Sequence, residues 1–288
     1  MGLKSGSLSF IFFANVFNQE FCITANIFLL CWASEYYKYT DEQHPLLSLR
    51  NFMQMEIKIV KDKEEMAAIA SSIIGEAIKQ KPNLLLCAAT GNSPTETYQQ
   101  LISRKADVDF SQLRIIKLDE WGGVPMTYPN TCEQYLQYHL IKPLGISSDR
   151  YFAFHSNAES PENEITKMQT ILANNGPIDV CTLGLGLNGH IALNEPASHL
   201  LPDCHIATLS TKSMQHSMAI GMPVKPSYGL TMGMADIMKA RLIVLLISGQ
   251  NKKEIISRFL SKEITTQLPA SFLWLHPNVK CFIHEQAI

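Results

Sequence analysis

The stretch Asn83–Pro94, NLLLCAATGNSP, decides the fold of this 288-residue chain. Its first seven residues are almost all apolar, which is typical of a β-strand buried on both faces of a parallel sheet. The polar turn that follows contains Gly91 and ends at Pro94, a residue that suits the first turn of a helix. The stretch therefore predicts a strand, a loop and a helix in direct succession, which is the repeating unit of parallel α/β sheets.

Similar units lie on both sides of this stretch. The predicted strands are residues 56–60, 83–89, 114–118, 151–154, 178–183, 241–248 and 279–284. The predicted helices are residues 63–79, 95–104, 131–141, 162–173 and 252–260. This alternation predicts an α/β protein with an open, mainly parallel sheet and helices on both faces. Because no internal repeat or long linker interrupts it, we predict a single domain over residues 53–288.

Composition excludes several classes of partner. The formal net charge of -2 gives no electrostatic reason to expect a nucleic acid or an anionic membrane as partner. The seven cysteines are scattered and never form a Cys-x-x-Cys pair, so reduced thiols are expected rather than disulfides or a zinc site. We predict a cytoplasmic protein without a metal. Composition leaves open whether the chain forms a homo-oligomer.

Residues 1–52 differ from the rest of the chain. The stretch Phe10–Trp32 is rich in apolar residues, but Asn, Gln and Glu residues interrupt it, so we do not expect a membrane span. Three interpretations stay open, and the first two are a leader of signal-peptide type and an upstream extension before a domain that starts at Met53 or Met55. The extension is the favoured interpretation. An apolar leader that packs on the domain or on a partner chain is the third.

Four polar motifs follow predicted strands, and ligands of parallel sheets bind beyond the carboxyl ends of the strands. The first motif is the turn in the opening stretch, Thr90-Gly91-Asn92-Ser93. The free N–H groups of the helix that follows would suit a phosphate group. A capped turn without a ligand is the alternative.

The second motif, Leu118–Gly123, reads LDEWGG. It places two adjacent carboxylates, Asp119 and Glu120, at a strand end beside an aromatic residue. A carboxylate that is buried enough to have a raised pKa could act as a general base. The alternative is a helix cap or a solvated turn.

The third motif, Gly184–Pro196, reads GLGLNGHIALNEP. It contains G-x-G-x-x-G, but a dinucleotide site is not favoured, because the motif lies late in the chain and Pro196 would end the helix early. His190 and Glu195 lie five residues apart on this glycine-rich turn. A histidine with a carboxylate partner predicts acid–base chemistry, and a purely structural histidine is the alternative.

The fourth motif, Ser248–Lys252, follows a buried strand and places Lys252 at a helix start. The helix dipole disfavours a cation there, and a bound phosphate would compensate. A solvated lysine is the alternative.

Together, the four motifs resemble the glucosamine-6-phosphate deaminase/isomerase family, and most closely its galactosamine-6-phosphate isomerase branch. The resemblance covers residues 55–288 and includes the stretch Pro269–His276, PASFLWLH. It implies a three-layer, Rossmann-like α/β fold. It also implies a small-molecule substrate, a 2-amino-2-deoxyhexose 6-phosphate, and proton transfers that need no cofactor.

The resemblance assigns catalysis to the second and third motifs. Asp119 matches the base that takes the proton from C2 and returns it to C1. His190 matches the residue that assists opening of the sugar ring, and Glu195 matches its carboxylate partner. Asn188 stands where glucosamine-6-phosphate deaminases usually have Asp, and an amide cannot hold a proton. Because Asn there resembles the galactosamine branch, we expect conversion of galactosamine 6-phosphate to tagatose 6-phosphate and ammonia.

The resemblance assigns phosphate binding to the first and fourth motifs. The matching residues are Thr90, Gly91, Asn92, Ser93 and Lys252. The family's phosphate arginine has no clear match between Lys212 and Met218. Gln215 and His216 are the candidates to replace it.

Four other functions compete with this prediction. Glucosamine-6-phosphate deaminase differs only in the epimer. A 6-phosphogluconolactonase would share the fold, but Asn188 and Glu195 argue against it. A non-catalytic sugar-phosphate sensor attached to a DNA-binding module is disfavoured, because residues 1–51 lack a basic helix-turn-helix pattern. An NAD-dependent oxidoreductase rests on the three glycines of the third motif alone.

Overall fold

The computed structural model describes residues 55–288, and the predicted leader, residues 1–52, lies outside the described residues. The described part contains ten strands. They are β1 (Glu56–Val60), β2 (Leu85–Ala88), β3 (Arg114–Lys117), β4 (Asp119–Gly122), β5 (Tyr151–Phe152), β6 (Val180–Gly184), β7 (His205–Ala207), β8 (Tyr228–Thr231), β9 (Leu242–Ile247) and β10 (Val279–His284).

Seven of these strands form one sheet in the order β1-β10-β9-β6-β2-β3-β5, and all of its pairs are parallel. The seven are the strands predicted from the sequence, so the open parallel sheet is confirmed. Buried apolar runs located the central strands β2 and β9, because strands covered on both faces need no alternation with polar residues, whereas the edge strand β1 is mostly exposed.

Nine helices accompany the strands in the described part. They are α1 (Lys63–Gln80), α2 (Thr95–Ser103), α3 (Cys132–Leu136), α4 (Lys142–Leu144), α5 (Pro161–Asn175), α6 (Thr211–Met214), α7 (Ser217–Ile220), α8 (Met234–Met238) and α9 (Lys253–Leu260). A π-helical turn, Gln137–Ile141, joins α3 to α4. The predicted helix 131–141 therefore begins as expected, with the Thr131 side chain accepting from the N–H of Gln134, but changes its winding midway.

The sheet separates two apolar cores. Side chains alternate between the faces of a strand, so Leu85 and Cys87 of β2 enter one core, and Leu86 and Ala88 enter the other. Helices α1 and α2 cover the second core, and α5 and α9 cover the first. This arrangement confirms the predicted three layers.

A topological switch lies between β2 and β6, which are neighbours in the sheet. The chain moves from β2 to β3 on one side, and from β6 to β9 on the other. Loops that leave such a pair diverge and open a crevice at the carboxyl ends of the strands, where ligands of open α/β sheets bind. The topology therefore places a crevice between the first and third motifs.

The remaining strands form a second, antiparallel sheet in the order β4-β8-β7, which the sequence did not predict. Strand β4 begins at Asp119 and is separated from the end of β3 at Lys117 by a single residue, Leu118. Asp119 is therefore anchored both at the edge of the main sheet and, through its pairing with Thr231, in the small one. Among residues 55–288, no helix combines the length and the apolar character that crossing a membrane requires.

Candidate active site

The four predicted motifs follow β9, β6, β2 and β3, which are consecutive strands at the centre of the main sheet. Since all four strands are parallel, their carboxyl ends lie at the same edge. Neighbouring strands are about 4.8 Å apart, so the four loops begin within about 15 Å of one another. Motifs that are up to 162 residues apart in the chain, from Thr90 to Lys252, thereby meet at one crevice.

The two adjacent carboxylates of the second motif have different surroundings, because consecutive side chains of β4 point to opposite faces. Glu120 is fully buried and accepts from Lys117 Nζ at 2.7 Å. It also accepts from the N–H groups of Cys132 and Glu133, each at 2.9 Å. Asp119 is only half-buried and lies at the crevice side. Glu120 is therefore part of a buried ion pair at the start of α3, and Asp119 is the carboxylate available for chemistry.

Burial raises the pKa of Asp119 to about 7, and the nearby charge of Glu120 adds to this effect. His190, a hydrogen bond from Cys132 and the charge of Lys117 oppose the shift. The thiol of Cys132 donates to Asp119 Oδ1 at 3.7 Å, and an S–H group is a weak donor. A carboxyl group with a pKa near neutral is suited to both taking up and returning a proton.

The third motif forms a tight turn that needs its glycines. A Cβ atom on Gly186 would overlap the His190 ring, which lies against it. Gly189 has a φ of +89°, a left-handed conformation that glycine adopts without strain. Ala192 has a φ of +52°, which is unusual for a residue with a side chain and bends the chain between His190 and Glu195. The bend brings the two side chains back together.

Asn188, His190 and Glu195 belong to one hydrogen-bonded network. Asn188 Nδ2 donates to Glu195 Oε2 at 2.7 Å, and its Oδ1 accepts from the backbone N–H of His190 at 3.2 Å. The ring Nδ1 of His190 lies 3.6 Å from Glu195 Oε2, which is too far for a hydrogen bond and becomes an ion pair only when the ring is protonated. Asn188 thus orients the carboxylate towards the histidine.

Two serines complete this network, and the sequence motifs did not include them. Ser213 Oγ donates to Glu195 Oε1 and lies 3.3 Å from His190 Nδ1. The backbone N–H of Ser210 donates to Glu195 Oε1 at 3.2 Å. Burial alone would raise the pKa of Glu195, but His190 and the hydrogen bonds from Ser213 and Asn188 lower it to about 2. Glu195 is therefore a permanent anion near neutral pH.

The first motif, together with the start of α2, is the candidate anion cradle. Among residues 55–288 no side chain caps the N-terminus of α2, which leaves its first N–H groups for a ligand. Gly91 has a φ of +99°, and its carbonyl oxygen accepts from the Tyr135 hydroxyl at 2.9 Å. Thr90 Oγ1 donates to Cys132 Sγ at 3.3 Å, which connects this loop to Asp119.

Two side chains of this loop differ in their environment. Ser93 Oγ and Ser248 Oγ share a hydrogen bond of 3.0 Å, which ties the first motif to the fourth. Asn92 is exposed, and its side chain forms no hydrogen bond with the described residues. The contacts therefore support the placement of Ser93 more strongly than that of Asn92.

Lys252 lies at the N-cap of α9, whose N-terminus also has no side-chain cap. Its Nζ donates to the carbonyl oxygen of Leu185 at 2.6 Å, which holds the amine at the end of β6. Burial lowers the pKa of Lys252 to about 8. A cation at a helix N-terminus, with no carboxylate partner among the described residues, favours an anionic ligand.

Of the two candidates for the missing arginine, the structure brings only His216 to the cradle. A Cβ on Gly91 would lie 3.7 Å from His216 Nε2, so the ring covers the phosphate loop. Its Nδ1 accepts from the N–H of Met218 at 3.3 Å, which leaves the proton of a neutral ring on Nε2. Burial, together with the charges of His190 and Lys252, lowers its pKa. Gln215 is exposed.

Residues 55–288 contain no group of three or more His, Cys, Asp or Glu side chains arranged to hold a metal ion. The crevice instead combines a carboxyl group that titrates near pH 7, a histidine beside a permanent carboxylate, and a cradle for an anion. This combination suits proton transfer on a small phosphorylated molecule.

The chain is similar to known proteins over most of its length. A family model described as glucosamine-6-phosphate isomerases/6-phosphogluconolactonase matches residues 61–282. The chain is 40% identical over 247 residues to the Escherichia coli (strain K12) protein named "Putative deaminase AgaI", a match that covers 84% of this chain and 94% of the relative. It is 34% identical over 237 residues to a glucosamine-6-phosphate deaminase of Thermoanaerobacter pseudethanolicus (strain ATCC 33223 / 39E), a match that covers 81% and 94% of the two chains.

Solved structures show the same fold. A monomeric glucosamine-6-phosphate deaminase superposes with a TM-score of 0.77 at 32% identity, over 81% of this chain and 98% of the other. A 6-phosphogluconolactonase from Trypanosoma brucei superposes with a TM-score of 0.62 at 20% identity, over 81% and 97% of the two chains. The second likeness shows the shared fold alone.

Proposed function

The chain belongs to the family of glucosamine-6-phosphate isomerases and 6-phosphogluconolactonases, and we propose that, as an amino-sugar-phosphate isomerase and deaminase, it converts galactosamine 6-phosphate and water to tagatose 6-phosphate and ammonia. One observation carries the proposal. The loops after four consecutive central strands bring Asp119, the His190–Glu195 pair and the Thr90–Ser93 loop with Lys252 to the same crevice, and this supports the proposed roles.

In this proposal, the cradle holds the 6-phosphate at one end of the substrate. The free N–H groups of α2, the Ser93 hydroxyl, Lys252 and His216 surround it. A fixed phosphate limits the positions that the sugar carbons can take, and such positioning can supply a large part of a rate enhancement.

Asp119 then moves the proton. In the open-chain aldose its carboxylate takes the proton from C2, the electron pair of the C–H bond forms a C1–C2 double bond, and the π pair of the C1–O1 carbonyl moves to O1, which takes a proton from solvent. The same carboxyl group returns its proton to C1, which uses the electron pair of the C1–C2 double bond, and the lone pair of the nitrogen forms the C2–N double bond of a protonated imine. Water adds to the imine carbon, and the C2–N bond breaks to release ammonia and the ketose. A pKa near 7 allows Asp119 to serve in both directions.

The substrate epimer is the finer part of the proposal. Asn188 supports galactosamine 6-phosphate through the resemblance alone, because Asn rather than Asp at this position is similar to the galactosamine branch. Glucosamine 6-phosphate is the second candidate, since several relatives at 31–34% identity are named glucosamine-6-phosphate deaminases.

The deciding experiment offers three substrates separately to the purified full chain. Ammonia and ketose phosphate are measured with galactosamine 6-phosphate and with glucosamine 6-phosphate, and acid release is measured with 6-phosphogluconolactone. We expect kcat/KM for the galactosamine compound to exceed that for its epimer at least about tenfold, which corresponds to a difference of about 1.4 kcal/mol in activation free energy. The opposite preference would reassign the epimer. Lactone hydrolysis without ammonia release would refute deamination.

The phosphate cradle can be tested separately with Lys252→Ala. Loss of a charged hydrogen bond costs about 1.5–3 kcal/mol, so we expect KM to rise about 10-fold to 150-fold with a smaller change in kcat. The neighbouring residue Lys253 is exposed, and Lys253→Ala is the matched control. An unchanged KM in Lys252→Ala would remove this lysine from the site.

A further inference from the structure

The hydroxyl group of Ser213 lies between the acid–base histidine and its carboxylate. Ser213 belongs to the short helix α6 and is only 2% exposed. Its Oγ contacts Glu195 Oε1 in a short hydrogen bond, and it lies 3.3 Å from His190 Nδ1. The Ser210 hydroxyl donates to Ser213 Oγ at 3.3 Å. Every hydrogen-bonding position of this hydroxyl is therefore occupied.

The direction of each hydrogen bond follows from counting protons. An ionised carboxylate can only accept, so the single proton of Ser213 must point to Glu195. The two lone pairs of Ser213 Oγ are then left to accept, one from the Ser210 hydroxyl and one from His190. His190 can donate to this oxygen only if Nδ1 carries a proton.

No other described group is placed to accept a hydrogen bond from His190 Nδ1. Glu195 Oε2 lies 3.6 Å from Nδ1, which is too far for a hydrogen bond. The side-chain nitrogen of Asn188 is a donor, and it points to Glu195 and to Ser210. The other ring nitrogen, Nε2, has no hydrogen-bond partner among residues 55–288.

From this arrangement we propose that Ser213 is a positioning residue, which keeps the proton of neutral His190 on Nδ1 and leaves Nε2 as the basic nitrogen. The proposal rests on the proposed function, in which His190 opens the sugar ring. Nε2 accepts the proton of the anomeric hydroxyl, and the electron pair left on O1 forms the C1–O1 double bond. The C1–O5 bond breaks with its electron pair moving to O5, and Nε2 then returns the proton to O5.

The tautomer of His190 is the measurement that a merely structural role would not change. Long-range ¹H–¹⁵N spectra distinguish imidazoles protonated at Nδ1 from those protonated at Nε2. His190→Gln identifies the resonance. In the free wild-type protein at pH 8 we expect His190 to be protonated at Nδ1. We expect Ser213→Ala to move the proton wholly or partly to Nε2, and Ser213→Thr, which keeps a hydroxyl, to retain the wild-type form.

Kinetics provide the second measurement. Loss of the hydrogen-bonding partner that orients a metal-bound histidine typically costs about 10-fold to 100-fold in metal affinity or activity, and we take the same range for Ser213. We expect Ser213→Ala to lower kcat by that factor while KM changes less than about threefold. Ser213→Thr should restore kcat to within about threefold of the wild type. Ser217→Ala, at an exposed serine of α7, is the matched control for the Ser→Ala exchange.

The outcomes separate this proposal from the proposed function. A wild-type His190 that is protonated at Nε2 overturns the role of Ser213, and this requires no variant to fold. An unchanged tautomer and an unchanged kcat in folded Ser213→Ala, checked by its thermal melt, overturn it as well. A protein that shows the expected tautomers but releases no ammonia from either hexosamine phosphate supports the role of Ser213 and refutes the proposed function instead.

Discussion

The two carboxylates at the crevice, Asp119 after β3 and Glu195 after β6, carry the same chemical group but are adjusted in opposite directions. Burial and a neighbouring carboxylate raise the pKa of Asp119 to about 7. Hydrogen bonds and His190 lower the pKa of Glu195 to about 2, although burial acts against this. Both side chains are partly buried, so the extent of burial does not distinguish them.

The difference lies in the donors that each carboxylate receives. Glu195 accepts from Asn188, from the Ser213 hydroxyl and from the backbone N–H of Ser210. The side chain of Asp119 accepts, among the described residues, only from the weak S–H donor of Cys132. Hydrogen bonds to a carboxylate stabilise its charged form. The poorly supported carboxylate is therefore the one that can hold a proton, and the well-supported one is a fixed charge.

The largest expected effect concerns the role of Asp119. Because an amide cannot take up a proton, Asp119→Asn should lower kcat for ammonia release by about 10²- to 10⁴-fold. Binding should change much less, which can be measured by titration with the substrate under conditions where turnover is negligible. Asp107→Asn, at an exposed aspartate, is the control. A variant that keeps its kcat but no longer binds would show that Asp119 is a binding group and not the base.

A smaller effect tests the opposite adjustment through stability. The folded-state pKa of Asp119 is raised from 3.8 to about 7, so ionising this group destabilises the folded protein. The destabilisation is absent below pH 3.8 and reaches its full size above pH 7. Asp119→Asn should therefore raise the free energy of unfolding at pH 8 by about 1–3 kcal/mol, and by less at pH 5.

Glu195→Gln should have the opposite sign. The folded-state pKa of Glu195 is lowered from 4.5 to about 2, so its stabilising effect is complete above pH 4.5 and is lost only as the pH falls towards 2. We expect the variant to lose about 1–3 kcal/mol, nearly equally at pH 8 and pH 5. Urea unfolding of the two variants measures both effects. If both substitutions changed the free energy of unfolding in the same direction, the opposite pKa shifts of the two carboxylates would be refuted.

The smallest effect is the pH dependence of kcat/KM. Activity should fall about tenfold for each pH unit below about 7, because the base is then protonated. It should also fall above about 8, as Lys252 loses the charge that binds the phosphate. Glu195 should contribute no limb between these values. Initial rates from pH 5 to pH 10 measure the profile, and Lys252→Ala should lose the alkaline limb only.

The main sheet could be predicted from the sequence, and the small sheet could not. Buried parallel strands are apolar throughout, so runs such as residues 83–89 and 279–284 are visible one at a time. Strand β4 reads DEWG, and Asp and Gly are rare in strands. Its pairing partner β8 lies more than 100 residues later in the chain and includes a glycine. Only tertiary contacts make strands of these segments.

The candidate site divides in a similar way. The residue types and spacing of the motifs were enough to single out His190 with Glu195, and to place Asp119 or Glu120 at the crevice. The choice between the two acidic neighbours depends on which face of β4 each one occupies. Ser213 carries no local pattern, since it follows His190 by 23 positions in a polar stretch. Only the contacts of α6 with the third motif place Ser213 beside His190 and Glu195.

The single residue between β3 and β4, Leu118, has a consequence for how this protein can change over time. Side chains alternate along a strand, so gaining or losing one residue at this junction would exchange the two faces. Glu120 would then enter the crevice, and Asp119 would be turned towards Lys117 and the buried cluster. A substitution at this junction changes one side chain, whereas an insertion or deletion would change which side chains of β4 face the crevice. We therefore expect related sequences to keep the length of this junction even where its residues differ.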